Sequence, residues 1–414
     1  MTHMHPIHIM AKPSGPACNL NCTYCFYLEK QKLYPDARDW RMSPLVLESY
    51  IRQYIAAQPG NYVQFAWQGG EPTLLGIDFF RDVIRLQERF GRGKKIENVL
   101  QTNGVLLNDA WAKFLGEHRF LVGISIDGPR ELHDEYRTDK SGRPTFDQVL
   151  DAISLLKKHS VTFNTLTVVN RRNSQAPLSV YRFLKSIGSE YMQFIPVVER
   201  IARTPGADGL SLAAPSFAGE ADVTPWSVEP AAFGEFLCDI FDEWVRRDVG
   251  RRYVQIFEVA LEIWYGLGSS LCAFQESCGM AMVLERGGDL YSCDHFVYPQ
   301  NKLGNIVQRP LRELVNSAQQ RTFGSAKRDT LPRYCLQCDV RYACNGECPK
   351  HRFLRTPDGE SGLNYFCQAY KKFFRHIAPY MQFMAQELRE GRAPANVMNF
   401  ARRLPLQSTR QRAT

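Results

Sequence analysis

Cys18-Asn19-Leu20-Asn21-Cys22-Thr23-Tyr24-Cys25 lies near the start of this 414-residue chain and sets three thiols three and then two residues apart. Three thiolates so spaced grip three irons of a four-iron cube and leave the fourth iron open, whereas a cube held by four cysteines only passes electrons. An open iron on a low-potential cluster binds and reduces a small molecule. A structural zinc site needs four ligands, usually in pairs two residues apart, and fits this spacing poorly. Disulfides belong to short, secreted, loop-rich chains, and the opening Met-Thr-His-Met-His-Pro has none of the basic and apolar runs of a secretory leader.

Size and composition suit a metalloprotein with a large core. The chain is 44% hydrophobic, its length suggests two or three domains, and no stretch approaches eighteen uninterrupted apolar residues. A cytoplasmic location is expected, and there twelve cysteines point to metal rather than disulfides. The net charge of +8 is spread among Asp and Glu, apart from Arg402, Arg403, Arg410 and Arg412 in the tail, so neither nucleic acid nor membrane is an expected partner. His3, His5 and His8 receive no role.

Outward from the cysteine segment, apolar runs predict strands at His8–Ala11, Tyr62–Trp67, Ile96–Gln101, Leu121–Ile126, Val161–Val169 and Tyr191–Pro196, with helices between them. Thr145–His159 shows the helical period, with Phe146, Val149, Leu150, Ile153 and Leu156 in one stripe. Six such units predict an α/β fold with a parallel sheet, either a curved partial barrel or an open sheet. Chemistry in such folds gathers where strands end. Those ends read Ser14 to Cys25, Gln68-Gly-Gly-Glu-Pro72, Gln101-Thr-Asn-Gly104, Ser125-Ile-Asp-Gly-Pro129, Asn170 and Pro196. Residues 199–230 read as a long excursion or linker before a helix at Ala231–Val245, on which Cys238 reads as a small core residue.

Eight cysteines remain: Cys272, Cys278, Cys293, Cys335, Cys338, Cys344, Cys348 and Cys367. They divide into two fours in many ways, and Cys335-Leu-Gln-Cys338 with Cys344 and Cys348 also has the look of a zinc ribbon. Two complete cubes would be closed to substrate and suited to moving electrons.

Together, the Cys18–Tyr27 and Gln68–Thr73 segments, Ser125–Pro129, Thr224-Pro-Trp226, Cys272 and Cys278, Cys293-Asp-His-Phe-Val297 and the cysteines from 335 to 367 resemble the radical S-adenosylmethionine (SAM) superfamily with a SPASM-type extension. More narrowly, they resemble its anaerobic sulfatase-maturating branch. The resemblance spans roughly residues 8 to 370. It implies a partial (β/α)6 barrel over 1–235, linking helices over 236–270, a SPASM auxiliary cluster domain over 271–370, and a C-terminal helix and basic tail over 371–414. It also implies three [4Fe-4S] clusters, held by Cys18, Cys22 and Cys25, by Cys272, Cys278, Cys293 and Cys348, and by Cys335, Cys338, Cys344 and Cys367.

Tyr24, Gly70, Ser125 and Arg137 are the implied contacts to S-adenosylmethionine, with a surface pairing of Arg137 to Asp134 or Glu135 as the alternative. Gln68 is a candidate substrate contact. The implied reaction uses a 5′-deoxyadenosyl radical to oxidise a cysteine or serine in a sulfatase activation motif to Cα-formylglycine. Asp294 is the implied proton acceptor and the auxiliary clusters the electron path. The ordinary alternative for Asp294 is a loop aspartate satisfied by local backbone amides.

The expected partners are an unfolded sulfatase polypeptide and an electron donor such as flavodoxin or ferredoxin, and a monomer is expected. Two competing readings stand. One is a SPASM enzyme acting on a natural-product precursor peptide, a type that often has an amino-terminal leader-binding domain, whereas here the first strand is expected by about residue 8. The other is a non-catalytic zinc-cluster module binding nucleic acid.

Overall fold

The computed structural model describes residues 7–33, 40–204 and 209–403; His3, His5, Arg410 and Arg412 lie outside them. Six strands, β1 (His8–Lys12), β2 (Tyr62–Trp67), β3 (Lys95–Thr102), β4 (Leu121–Ser125), β5 (Phe163–Val169) and β6 (Tyr191–Pro196), pair in parallel and in chain order. Parallel neighbours need a crossover, and helices at Pro44–Ala57, Ile77–Phe90, Asp109–Glu117, Phe146–Lys158 and Pro177–Ser186 supply it. Local chemistry marks where these helices start. Ser43 accepts a hydrogen bond from the Val46 amide ahead of Pro44, and Asn108 accepts one from the Trp111 amide. In the helix at 146–158, Phe146, Val149, Ile153 and Leu156 are buried and Leu150 partly so.

β6 does not return to β1, so the six strands form an unclosed barrel. Short strand β9 (Tyr253–Val254) adds to β6, while β10 (Ala281–Glu285) adds in parallel to β1 and continues into antiparallel β11 (Asp289–Tyr291) and β12 (Lys302–Asn305). The cysteine-rich half of the chain thus shares one sheet with the barrel. Its register places Glu285 opposite Lys12 and brings Cys293 and Asp294, just past β11, to the end of β1.

The stretch expected as a linker is in part ordered: β7 (Arg200–Ala202) and β8 (Ala221–Val223) pair as antiparallel strands. Two of the expected domain divisions, at 235 and 370, fall inside the helices Pro230–Arg247 and Cys367–Arg389. These two helices pack through Phe233 on Phe366 and Tyr370, and Cys238 is buried in the same core. Among the described residues, no helix is long and apolar enough to cross a membrane.

Candidate active site

The loop after β1 that carries Cys18, Cys22 and Cys25 is held by the loop after β2. Gly70 donates its amide to the Gly15 carbonyl at 2.7 Å, and Glu71 donates to Ala17 at 2.9 Å. A Cβ on Gly70 would lie 2.0 Å from the Ala17 carbonyl oxygen, so only glycine allows the two loops this contact. The buried Glu71 carboxylate accepts from the Thr73 amide and hydroxyl, the Thr102 hydroxyl and the Asn103 amide. Asn103 in turn reaches Asn19 at 2.8 Å, which ties the β3 exit to the cysteine loop. Gln68 is half-buried at the start of the glycine stretch, its amide on the Ala11 carbonyl.

At the β4 exit, Ser125 accepts from Gln101 at 3.1 Å. Asp127 is fully buried and accepts the Tyr24 hydroxyl at 2.5 Å, Arg137 Nε at 2.9 Å and the Val168 amide at 3.0 Å. Arg137 therefore pairs with Asp127 in the interior, rather than with Asp134 or Glu135 on the surface. Burial lifts the Cys22 thiol to about 11, with Arg137 pulling it down and Asp127 adding to the rise.

His133 supports this pair from behind. Its Nδ1 accepts the Asp127 amide at 3.3 Å, and its Nε2 lies 3.1 Å from the Thr145 hydroxyl, which itself donates to the Arg137 carbonyl. That pattern needs a neutral imidazole with its proton on Nε2. Burial, then Arg137, lowers its pKa to about 3. The unfolded chain binds this proton near 6.5 and the folded chain does not, so stability present above pH 6.5 is lost as pH falls toward 3. Roughly 1 kcal/mol is expected to be gone by pH 5.5. Urea titrations of wild type and His133→Gln between these pH values should show a shallower loss in the variant; equal slopes would refute the assignment.

Asp294 is met by Lys12, a buried lysine at the end of β1, and not by local amides. Lys12 Nζ also sits 3.2 Å over the Tyr27 ring, and the Tyr27 hydroxyl donates to Glu285. Burial pushes Asp294 up, but Lys12, then His295 and Lys350, outweigh it and hold the carboxyl below its ordinary range. Glu285 goes the other way, raised by burial to about 7 against the pull of Lys12. One buried lysine thus faces two carboxylates of unequal proton affinity.

Beside this cluster, Phe26, Glu199, His295, Tyr298, Lys350 and Phe353 border a cavity of about 20 Å³, where the cysteine loop, the β6 exit and the cysteine-rich half meet. Lys350 pairs with Glu199 there.

The later thiols fall into two neighbourhoods. Burial raises each one whose shift is resolved. Among the thiols themselves, Cys278 feels Cys272, Cys293 feels Cys272 and Cys278, and Cys348 feels Cys293 and Cys278. Separately, Cys335 feels Cys338, Cys344 feels Cys367 and Cys335, and Cys367 feels Cys335 and Cys338. Buried fixed groups hold the loops: Lys327 donates to the Cys272 and Ala273 carbonyls, Arg352 to those of Gly346, Asn345 and Glu347, and Glu347 accepts from His351 and Asn364.

Among the described residues no three His, Cys, Asp or Glu close up into a single-ion site of the kind one zinc requires. The donor set, mostly half-buried thiols gathered in groups with Cys18, Cys293 and Cys344 each pushed to about 12 by desolvation first, suits thiophilic clusters that make thiolates of them.

Read from the sequence, Lys12, Glu285 and the Glu199–Lys350 pair carry no role, and Tyr27 and Asp127 no individual role within their motifs. A lysine within an otherwise apolar strand, Ile9-Met-Ala-Lys12, was the available signal, since a buried lysine needs a partner.

Two family models match the chain: the radical SAM superfamily over residues 13–184 and the SPASM iron-sulfur cluster-binding domain over residues 272–339. The serine-type anaerobic sulfatase-maturating enzyme of Bacteroides thetaiotaomicron is 48% identical over 393 residues, 95% of this chain and 94% of that one. The cysteine-type enzyme of Clostridium perfringens is 34% identical over 394 residues, 93% of this chain and 100% of the other. A solved structure, native anSMEcpe with bound AdoMet and Cp18Cys peptide, superposes with a TM-score of 0.80 at 33% identity, covering 92% of this chain and all of that one. Streptococcus suis SuiB bound to precursor peptide SuiA gives 0.57 at 15% identity, with 86% and 75% covered, a likeness of fold alone.

Proposed function

The chain belongs to the anaerobic sulfatase-maturating enzymes of the radical SAM superfamily, and from that premise we propose that it oxidises a serine or cysteine side chain of a sulfatase peptide to formylglycine, with Asp294 as the proton acceptor. The observation that carries the reading is the Lys12–Asp294 pair, brought together by the pairing of β1 with β10 and by the turn of β10 into β11, after which Asp294 follows.

Cys18, Cys22 and Cys25 would hold the cluster that works with S-adenosylmethionine, and the two later groups of four cysteines would hold the auxiliary clusters. With these groups bound, the chemistry supplied is removal of a hydrogen atom from the substrate β-carbon and one-electron transfer. The residues of the chain do the rest. Gly69 and Gly70 bring the backbone of the β2 exit against the cysteine loop, where Tyr24, Gly70, Ser125 and Arg137 would contact S-adenosylmethionine. Asp127 fixes the Arg137 fork and the Tyr24 hydroxyl in one orientation.

Lys12 keeps the half-buried Asp294 a carboxylate, so Asp294 can take the hydroxyl or thiol proton as the carbon is oxidised. The peptide would enter between the barrel mouth and the cysteine-rich half, toward the cavity beside Phe26 and His295, with Gln68 a contact to its backbone. The test is anaerobic incubation with S-adenosylmethionine, dithionite and serine- and cysteine-containing sulfatase-motif peptides, read by mass spectrometry. A formylglycine mass on either peptide is the expected result, and cofactor cleavage with neither peptide altered would overturn the reading.

A further inference from the structure

The turn that follows Cys293 carries two polar side chains with different partners. Asp294 meets Lys12, whereas His295 meets a thiol: its Nδ1 lies 3.3 Å from Cys348 Sγ. Cys293 and Cys348 belong to the same neighbourhood of later thiols, so His295 follows one member and touches another. Among the described residues no imidazole reaches a sulfur of Cys335, Cys338, Cys344 or Cys367, and the contact therefore sets one group of thiols apart from the other.

The His295 ring is held from several sides. Phe26, directly after Cys25, meets it edge-on with ring centroids 5.8 Å apart. His351 packs at 6.1 Å and is itself fixed by Glu347, 2.8 Å from its Nδ1. Lys350, the cation nearest to Cys348 in sequence, is engaged elsewhere: it pairs with Glu199, and its Nζ lies 4.3 Å from the Phe26 centroid. The imidazole is thus the polar side chain left to face the Cys348 sulfur. A cysteine sulfur bound to iron has no hydrogen to give, so in the loaded protein Nδ1 is the donor. A hydrogen bond donated to a cluster sulfur favours the reduced state over the oxidised one, because the hydrogen interacts more strongly with the greater negative charge.

We propose that His295 donates a hydrogen bond from Nδ1 to the Cys348 sulfur and thereby raises the reduction potential of the iron-sulfur group on Cys272, Cys278, Cys293 and Cys348. The inference rests on the proposed function, which supplies that group. His295 acts through a ligand and not on the reacting carbon, so it is a positioning residue. Its place gives the contact a use. His295 borders the same cavity as Phe26, Glu199 and Lys350, and Asp294 precedes it on one short turn. The group that takes the substrate proton and the group that makes the nearby sulfurs more tolerant of added charge are consecutive residues.

The test is an anaerobic potentiometric titration of the cluster-loaded enzyme, without peptide or S-adenosylmethionine, followed by electron paramagnetic resonance. His295→Phe keeps a ring against Phe26 and lacks the donor. In it one couple is expected to move so that its reduced-to-oxidised ratio at a set potential falls roughly tenfold, which is about 59 mV for one electron. His295→Asn keeps an N–H near the Nδ1 position and should recover most of that shift, with the other couples unmoved in both variants. Unshifted couples in His295→Phe would overturn the proposal. Equal shifts in the two variants would overturn it as well, since the ring would then be packing alone. If His295→Phe does not load iron, wild type labelled with nitrogen-15 histidine decides. Pulsed resonance of the reduced enzyme should then show a labelled nitrogen weakly coupled to a cluster, and no such coupling would overturn the proposal. Formylglycine formation on peptide reports on the proposed function separately, so either reading can fail alone.

Discussion

Asp294→Asn is expected to lower formylglycine formation by a factor on the order of 10² to 10⁴, the usual contribution of a positioned base, while 5′-deoxyadenosine still forms. The substitution keeps the shape of the side chain and removes its ability to take a proton together with the charge that faces Lys12. The fold should tolerate it, because Lys12 retains the Tyr27 ring and the facing Glu285. Parallel chromatographic assays of 5′-deoxyadenosine and of product peptide therefore separate two failures that look alike in a product assay. Loss of both products would mean that the variant disturbs the cysteine loop through Lys12. Undiminished turnover would mean that Asp294 is not the base.

The neighbouring Glu285 is a poorer candidate on the same physics. Burial holds its proton to about pH 7, and its partner is the Tyr27 hydroxyl, whereas Asp294 is kept charged by an ion pair.

The contrast between these two carboxylates shows what the sequence made legible. The six barrel strands were readable because each is a short β-rich run set off by turn residues and alternating with a helical segment, the pattern of a parallel sheet. Strand β10, Ala281-Met-Val-Leu-Glu285, is as apolar and as long as β1 or β4, but it lies among cysteines and glycines that point to metal. Its pairing with β1 joins residues 281–285 to residues 8–12, a contact between segments far apart in the chain that local periodicity does not encode. Lys12 could not be matched to Asp294 without it. The hairpin of β7 and β8 was missed for a related reason: three-residue strands among Pro, Gly and Ser carry almost no periodic signal. For Arg137 the sequence offers a contact to the cofactor, with the acids nearest in sequence as the ordinary alternative. The fold gives it Asp127, which leaves β4 and turns inward, where an unpaired carboxylate would be untenable.

That buried pair carries the second large effect. Arg137→Met is expected to destabilise the cluster-loaded protein by roughly 3 to 5 kcal/mol, because it leaves the Asp127 carboxylate interior and without its cation. The Tyr24 hydroxyl and the Val168 amide remain to Asp127, but neither carries charge. Anaerobic denaturant titrations should show the midpoint fall. S-adenosylmethionine affinity should fall as well, since Tyr24 follows Cys22 and loses its fixed partner geometry.

The double variant Asp127→Asn/Arg137→Met distinguishes the two effects. An asparagine still accepts from Tyr24 and carries no charge, so much of the stability should return. If the Arg137 fork itself contacts the cofactor, affinity for S-adenosylmethionine stays low in the double variant although the fold is restored. Recovery of both would make Arg137 a structural counter-ion to Asp127 and remove it from the cofactor site.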